Sequence, residues 1–155
     1  MSIVSLCLGE VVVVPKETSL QDVAILMQAR GVGFVAVTTD DGKMVPIGVI
    51  TDRDIVVRAA TKNLDMNRET VDKVMSHALV TIKKDAEITE VIEIMEERKV
   101  RRVLVVDESN HLCGVVSTDD LVRFVASEMA KIGGLFQEQT GTSLRHRTHE
   151  FTRMA

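Results

Sequence analysis

The chain contains no tryptophan and no tyrosine, and only 3% of its 155 residues are aromatic. Platforms on which the bases of a single strand could stack are therefore nearly absent. There are two cysteines, Cys7 and Cys113, neither with a close-spaced partner. They read as small hydrophobes in a reducing compartment rather than as a disulfide or a metal site. Catalytic signatures are missing too: no H-E-x-x-H, no phosphate loop ending in Gly-Lys-Ser/Thr, no Cys/His or Ser/His pairing at motif spacing. A protein that is not an enzyme is expected. No apolar run reaches the length of a membrane span. The stretch MSIVSLCLGEVVVV lacks a basic leader and is broken by Glu10 and Pro15, so a cytoplasmic setting is expected. The net charge of −4 argues against broad binding to nucleic acid.

What the chain does have is a repeat. The segment GVITDRDI, from Gly48 to Ile55, returns 66 residues later as GVVSTDDL, from Gly114 to Leu121. Such self-similarity means one supersecondary unit made twice. Leu20, Val23, Ala24 and Met27 carry the i, i+3, i+4, i+7 spacing of an amphipathic helix, and Ile88, Val91, Ile92 and Met95 carry it again. Thr18 with Gln21 is a candidate capping box for the first helix, and Asp85 a candidate N-cap for the second. Gly31 and Gly33 suit a C-cap and a close approach.

Strands are predicted from Phe34 to Thr38 and Pro46 to Ile50, and again from Arg102 to Val106 and Leu112 to Val116. Turns at Asp40-Asp41-Gly42-Lys43 and at Ser109-Asn110 join them. The period falls from 68 to 66 here, so the first hairpin carries two extra residues. Short strands in front (Val11 to Val14, Leu79 to Ile82) and helices behind (Ile55 to Ala60, Leu121 to about Met129) complete a β-α-β-β-α unit. The fold class is α/β (α+β). Each unit, about 55 residues, is too small to bury a good core alone, whereas two sheets pressed together would manage it. The expected division is 6–61, a linker 62–73, 74–131, and a tail 132–155. The polar stretch Thr61 to Thr70 reads as a surface connection. The tail is mildly basic through Arg145, His146, Arg147, His149 and Arg153. It reads as a frayed or partner-dependent terminus, and a zinc site at His146 and His149 lacks further ligands.

The matched polar positions, Thr51 with Asp54 and Ser117 with Asp120, stand where an apolar strand meets a helix. A carboxylate there can accept two hydrogen bonds from a vicinal diol, as acidic residues do for ribose in dinucleotide folds. A hydroxyl at a helix start lies beside free backbone N–H groups and the positive end of the helix dipole, both favourable to an anion. The same T-x-x-D and S-x-x-D patterns also serve as plain N-caps. Both readings stand at this point. His77 and His111 read as exposed turn residues, and Asp40-Asp41 and Glu96-Glu97 as solvated surfaces.

Two copies of G-h-h-[ST]-x-x-D at matched spacing, the helices ending in Met27 and Met95, and LVVDES from Leu104 to Ser109 together make a pattern. It resembles a tandem pair of cystathionine-β-synthase-type (CBS) domains, a Bateman module, over about Leu6 to Lys131. The resemblance implies two halves packed through their sheets about a pseudo-twofold axis, with two clefts that take AMP, ADP, ATP or S-adenosylmethionine. It implies a regulatory sensor that needs no cofactor, forms a homodimer and reports to a protein effector. Carried over position by position, one cleft uses Thr51, Arg53, Asp54, Leu79, Val80, Arg101 and Arg102. The other uses Val11, Val12, Gly33, Phe34, Ser117 and Asp120. Guanidinium groups pair well with phosphate and a carboxylate repels it. On that ground the first cleft, with its arginines, is expected to hold phosphorylated nucleotide better than the second, where Asp119 replaces Arg53. The alternatives are a scaffold with unoccupied clefts, or a nucleic-acid-binding protein using Arg101, Arg102 and the tail. Arg58 and Arg123 read as surface charges.

Overall fold

A computed structural model describes residues 3–7 and 11–140. Glu10 and the basic positions Arg145, His146, Arg147, His149 and Arg153 lie outside the described residues. The first half runs β1 (Val13–Pro15), α1 (Leu20–Arg30), β2 (Phe34–Thr38), β3 (Pro46–Thr51) and a helical segment α2. That segment begins at Asp52–Asp54 and widens into a π turn over Ile55–Ala59. The second half runs β4 (Thr81–Lys83), α3 (Ile88–Arg98), β5 (Arg102–Val106), β6 (Leu112–Ser117) and α4 (Thr118–Thr140). The chain divides into two compact units, Met1–Leu121 and Val122–Ala155. Both sheets lie in the first.

The repeat becomes two sheets of the same design. In each, the front strand pairs parallel to the middle strand and the middle strand antiparallel to the last, in the orders β1-β2-β3 and β4-β5-β6. The register shifts at the same place in both hairpins, between Val37 and Thr38 and between Val105 and Val106. The first hairpin loop spans 39–45 and the second 107–111, so the first is the longer by the two residues the sequence shows.

The middle strands are buried nearly throughout, Val35 to Thr38 and Val103 to Val106. A strand covered on both faces reads as an unbroken apolar run rather than an alternation. Val35 and Val37 pack with Leu20, Val23 and Met27 of α1 in one cluster, joined by Ile50, Ile55 and Ala59. In α3 the equivalent buried side chains are Val91 and Met95, whereas Ile92 is exposed.

The caps differ from expectation. The N-cap of α1 is Ser19, whose hydroxyl accepts from the Asp22 N–H at 3.0 Å and donates to the Asp22 carboxylate at 2.7 Å. Thr18 is already used in a turn, its N–H and hydroxyl both bonding the Pro15 carbonyl. The N-cap of α3 is Glu87 rather than Asp85, with Glu90 accepting from the Glu87 N–H at 3.1 Å. Helix α1 ends on Gly31 at φ 63°, and α3 ends in the same left-handed conformation on Lys99 at φ 54°.

Two further segments are more structured than their composition suggests. The stretch 61–70 returns to α1: the N–H groups of Leu20 and Gln21 donate to the carbonyls of Glu69 and Met66. Leu64 and Met66 pack against the core, which makes the connection more than a surface tether. Helix α4 begins at Thr118 and continues through Gly133 and Gly134 to Thr140. A glycine inside a helix costs only about 1 kcal/mol, so the pair does not end it. Within the unit Val122–Ala155, α4 exposes Val122, Val125, Met129, Ile132 and Leu135 along one stripe.

The segment leading into each half crosses to the other. Ile3 and Leu6, in a 3-10 turn, are buried, and Cys7 lies against Gly114 of β6. In matching fashion Met75 lies against Gly48 of β3, and Ser76 exchanges backbone hydrogen bonds with Val49 at 2.8 and 3.0 Å.

Candidate functional site

Each strand-to-helix junction is built the same way. At the first, the Thr51 hydroxyl accepts from the Asp54 N–H at 3.1 Å. The Asp54 carboxylate in turn accepts from the Thr51 N–H at 2.9 Å and from the Thr51 hydroxyl at 2.7 Å, all through Oδ2. At the second, Asp120 Oδ2 accepts from Ser117 N–H at 2.8 Å and its hydroxyl at 2.6 Å, while the Ser117 hydroxyl accepts from Asp120 N–H at 3.2 Å. Both motifs are thus capping boxes, and one oxygen of each carboxylate is used up.

The second oxygens differ. Asp54 Oδ1 faces Arg58 Nε at 3.2 Å, in the i, i+4 relation of one helical turn. Arg58 is fixed at its other end, its Nη1 donating to the carbonyls of Val74 at 2.7 Å and Met75 at 3.3 Å. Arg58 is therefore not the plain surface charge expected from its place on a helix. Among the described residues no donor reaches Asp120 Oδ1, and the residue four positions on is Phe124, which has none to offer.

Two cavities open where the halves of the first unit meet. One, of about 200 Å³, is lined by Phe34, Val49 and Thr51 from the first half and by Val80, Arg101, Arg102 and Leu104 among others from the second. The other, of about 290 Å³, joins Val11, Val12, Gly33 and Phe34 to Ser117 and Asp120. Gly31, Val32, Arg102 and Val115 complete it. The second volume is close to the lower end of ligand pockets, ~300 Å³.

The cavities bring together most of the expected residues and leave some out. In the first, Thr51, Val80, Arg101 and Arg102 meet, while Arg53 is exposed, Leu79 is half-buried, and neither they nor Asp54 reach the lining. In the second, Val11, Val12, Gly33, Phe34, Ser117 and Asp120 all meet. Phe34 and Arg102 belong to both, and the Arg102 guanidinium lies 5.4 Å from the centroid of the Phe34 ring. That distance suits a cation–π contact.

This sharing changes the charge balance that ranked the first cleft higher for phosphate. Arg102 serves both cavities, Arg53 serves neither, and Arg101 stands 3.9 Å from the carboxylate of Asp119. Gly33 lies close under the Asp52 side chain: a Cβ on it would come within 2.7 Å of a carboxylate oxygen, which would have to move aside. Near the second cavity, burial pushes the Cys7 thiol up from its ordinary pKa, helped by the negative charge of Asp120. The thiol is therefore held neutral.

Sequence reasoning missed Arg58, Gly31, Val32 and Val115. The Asp54-to-Arg58 spacing was available as an i, i+4 pair. The two carbonyls that fix Arg58 lie sixteen and seventeen residues further on, beyond any local pattern.

Comparison with known proteins adds the following. The sequence profile of the CBS domain matches residues 5–60 and 71–127. A protein of Methanopyrus kandleri is 30% identical over 132 residues, covering 81% of this chain; the chain spans 64% of that protein's length. Hypoxic response protein 1 of Mycobacterium tuberculosis is 32% identical over 117 residues, covering 76% of each chain. Among solved structures, a CBS domain protein of Pyrobaculum aerophilum in complex with AMP superposes with a TM-score of 0.72 at 26% identity. It covers 84% of this chain and 99% of its own.

Proposed function

The chain belongs to the CBS domain family, and we propose that it is a regulatory module that binds an adenosine-containing ligand in the clefts between its halves. AMP, ADP, ATP and S-adenosylmethionine are the candidate ligands. The module acts as a cytoplasmic homodimer and transmits occupancy to a protein effector; it binds its ligand without transforming it.

One observation carries the reading: an Asp120 oxygen with no donor among the described residues, at the wall of a cavity of about 290 Å³ that also holds a hydroxyl, a glycine backbone and a guanidinium. A carboxylate oxygen suits a sugar hydroxyl, Arg102 suits a phosphate, and the valines and Phe34 suit a purine face. The similarity to a Pyrobaculum protein that takes AMP supports the same choice. Signalling follows if the ligand favours one arrangement of halves or subunits over another, since only differential affinity moves such an equilibrium.

The test is thermal denaturation of the chain with AMP, ADP, ATP and S-adenosylmethionine in turn. A ligand bound only by the folded form raises the melting temperature with its concentration, by about 2.7 kcal/mol of stability at a hundredfold excess over Kd. A flat response to all four leaves a scaffold with unoccupied clefts.

A further inference from the structure

The two motifs look interchangeable in sequence, yet their carboxylates are not in the same chemical state. Asp54 has both oxygens engaged, Oδ2 by Thr51 and Oδ1 by Arg58. The side chain is 17% exposed and lies off the lining of its cavity. A ribose diol seeking that carboxylate meets a guanidinium already there. Arg58 cannot simply swing away, because the Val74 and Met75 carbonyls anchor it and would lose their donor. Asp120 has one oxygen engaged and one without a donor among the described residues, and it lines its cavity.

We infer that Arg58 makes the two clefts unequal: by holding Asp54 it withholds the first carboxylate, so that the ligand's sugar is taken through Asp120 alone. The inference rests on the reading of the clefts as adenosine sites and adds which of them works and why. Arg58 touches no ligand in this scheme. It acts through Asp54, as a residue that determines stoichiometry. The order of the clefts is then the reverse of the one that counting arginines suggests, because a free acceptor for the sugar decides the site and Arg102 is available to both.

The experiment is calorimetric titration of AMP, ADP, ATP and S-adenosylmethionine into the full chain and its variants. One equivalent per chain is expected for the ligand that binds, and Asp120→Asn weakens it by roughly 10- to 100-fold, the value of a hydrogen bond to a charged group. Arg58→Met keeps the aliphatic stem, frees Asp54 and brings in a second equivalent; adding Asp54→Asn removes that second equivalent. Two equivalents on the unaltered chain overturn the inference, as does full affinity in Asp120→Asn. So does an Arg58→Met chain with native circular dichroism that still takes only one. Should Arg58→Met fail to fold, the unaltered stoichiometry and Asp120→Asn decide. A chain that takes none of the four ligands rejects the adenosine reading and the inference with it, whereas the other failures reject the inference alone.

Discussion

Cys7 fills the space that a side chain on Gly114 would need: a Cβ built there would lie 2.5 Å from Cys7 Sγ and 2.9 Å from its Cβ. Met75 stands in the same relation to Gly48. The positions correspond across the repeat, so each half sends its leading segment onto the last strand of its counterpart. Glycine in both copies of the motif is there for this close approach rather than for an unusual backbone angle. Neither is among the positive-φ glycines, Gly31 and Gly42.

Alanine at either glycine therefore overpacks the junction, at about 1–3 kcal/mol. Gly114→Ala should be the worse of the two. Cys7 Cβ, held by the backbone, is one of the atoms in the way, whereas Gly48 faces the flexible side chain of Met75, which can re-pack. Urea denaturation of the two variants measures this through their midpoints. A larger loss from Gly48→Ala would contradict the arrangement.

Helix α3 ends on Lys99 at φ 54°, where α1 has Gly31 at φ 63°. Only glycine adopts that region without a steric cost. Lys99→Gly should raise stability by about 0.5–1 kcal/mol, and Gly31→Ala should lower it by a similar amount. Thermal melts of the pair give the two signs. A destabilised Lys99→Gly would mean that the lysine side chain contributes more than its backbone costs.

The second hairpin turn is held by Asp107, whose carboxylate accepts from the N–H groups of His111 at 2.8 Å and Ser109 at 2.9 Å. The first of these does most to lower its pKa below the ordinary 3.8; desolvation opposes it, and the His111 ring at 3.1 Å adds to the lowering. A carboxyl lowered on folding stabilises the native state fully above its unfolded value, and that contribution disappears as pH falls through the folded one. The stability gap between the unaltered chain and Asp107→Asn should thus be largest above 3.8 and close in more acid solution. Denaturation midpoints across an acid series check it, and a gap that widens on acidification would reverse the sign.

Much of the architecture can be read in the chain because it is written twice. The strand order, the matched helices and the longer first hairpin all follow from aligning the copies. What escaped that reading depends on distance in space. Ser19 rather than Thr18 caps α1 because Thr18 is committed to Pro15 and, through its carbonyl, to the N–H of Val71. The stretch 61–70 looks like a tether by composition, yet Leu64 and Met66 find the core. At the clefts the residue types were legible in the motif; the two aspartates read alike there, and only the arginines ranked one cleft above the other. Arg58 breaks the equivalence through two carbonyls that no helical pattern reveals.

The crossed leading segments bear on how the molecule comes apart. Because the 3-10 turn before β1 is seated on β6, and the strand-like run before β4 on β3, each half lacks a wall unless the other is present. Neither sequence copy is expected to fold by itself. Fragments made by severing the chain between them should regain order only by recombining, and a thermal melt of the intact chain should lose both copies in one transition.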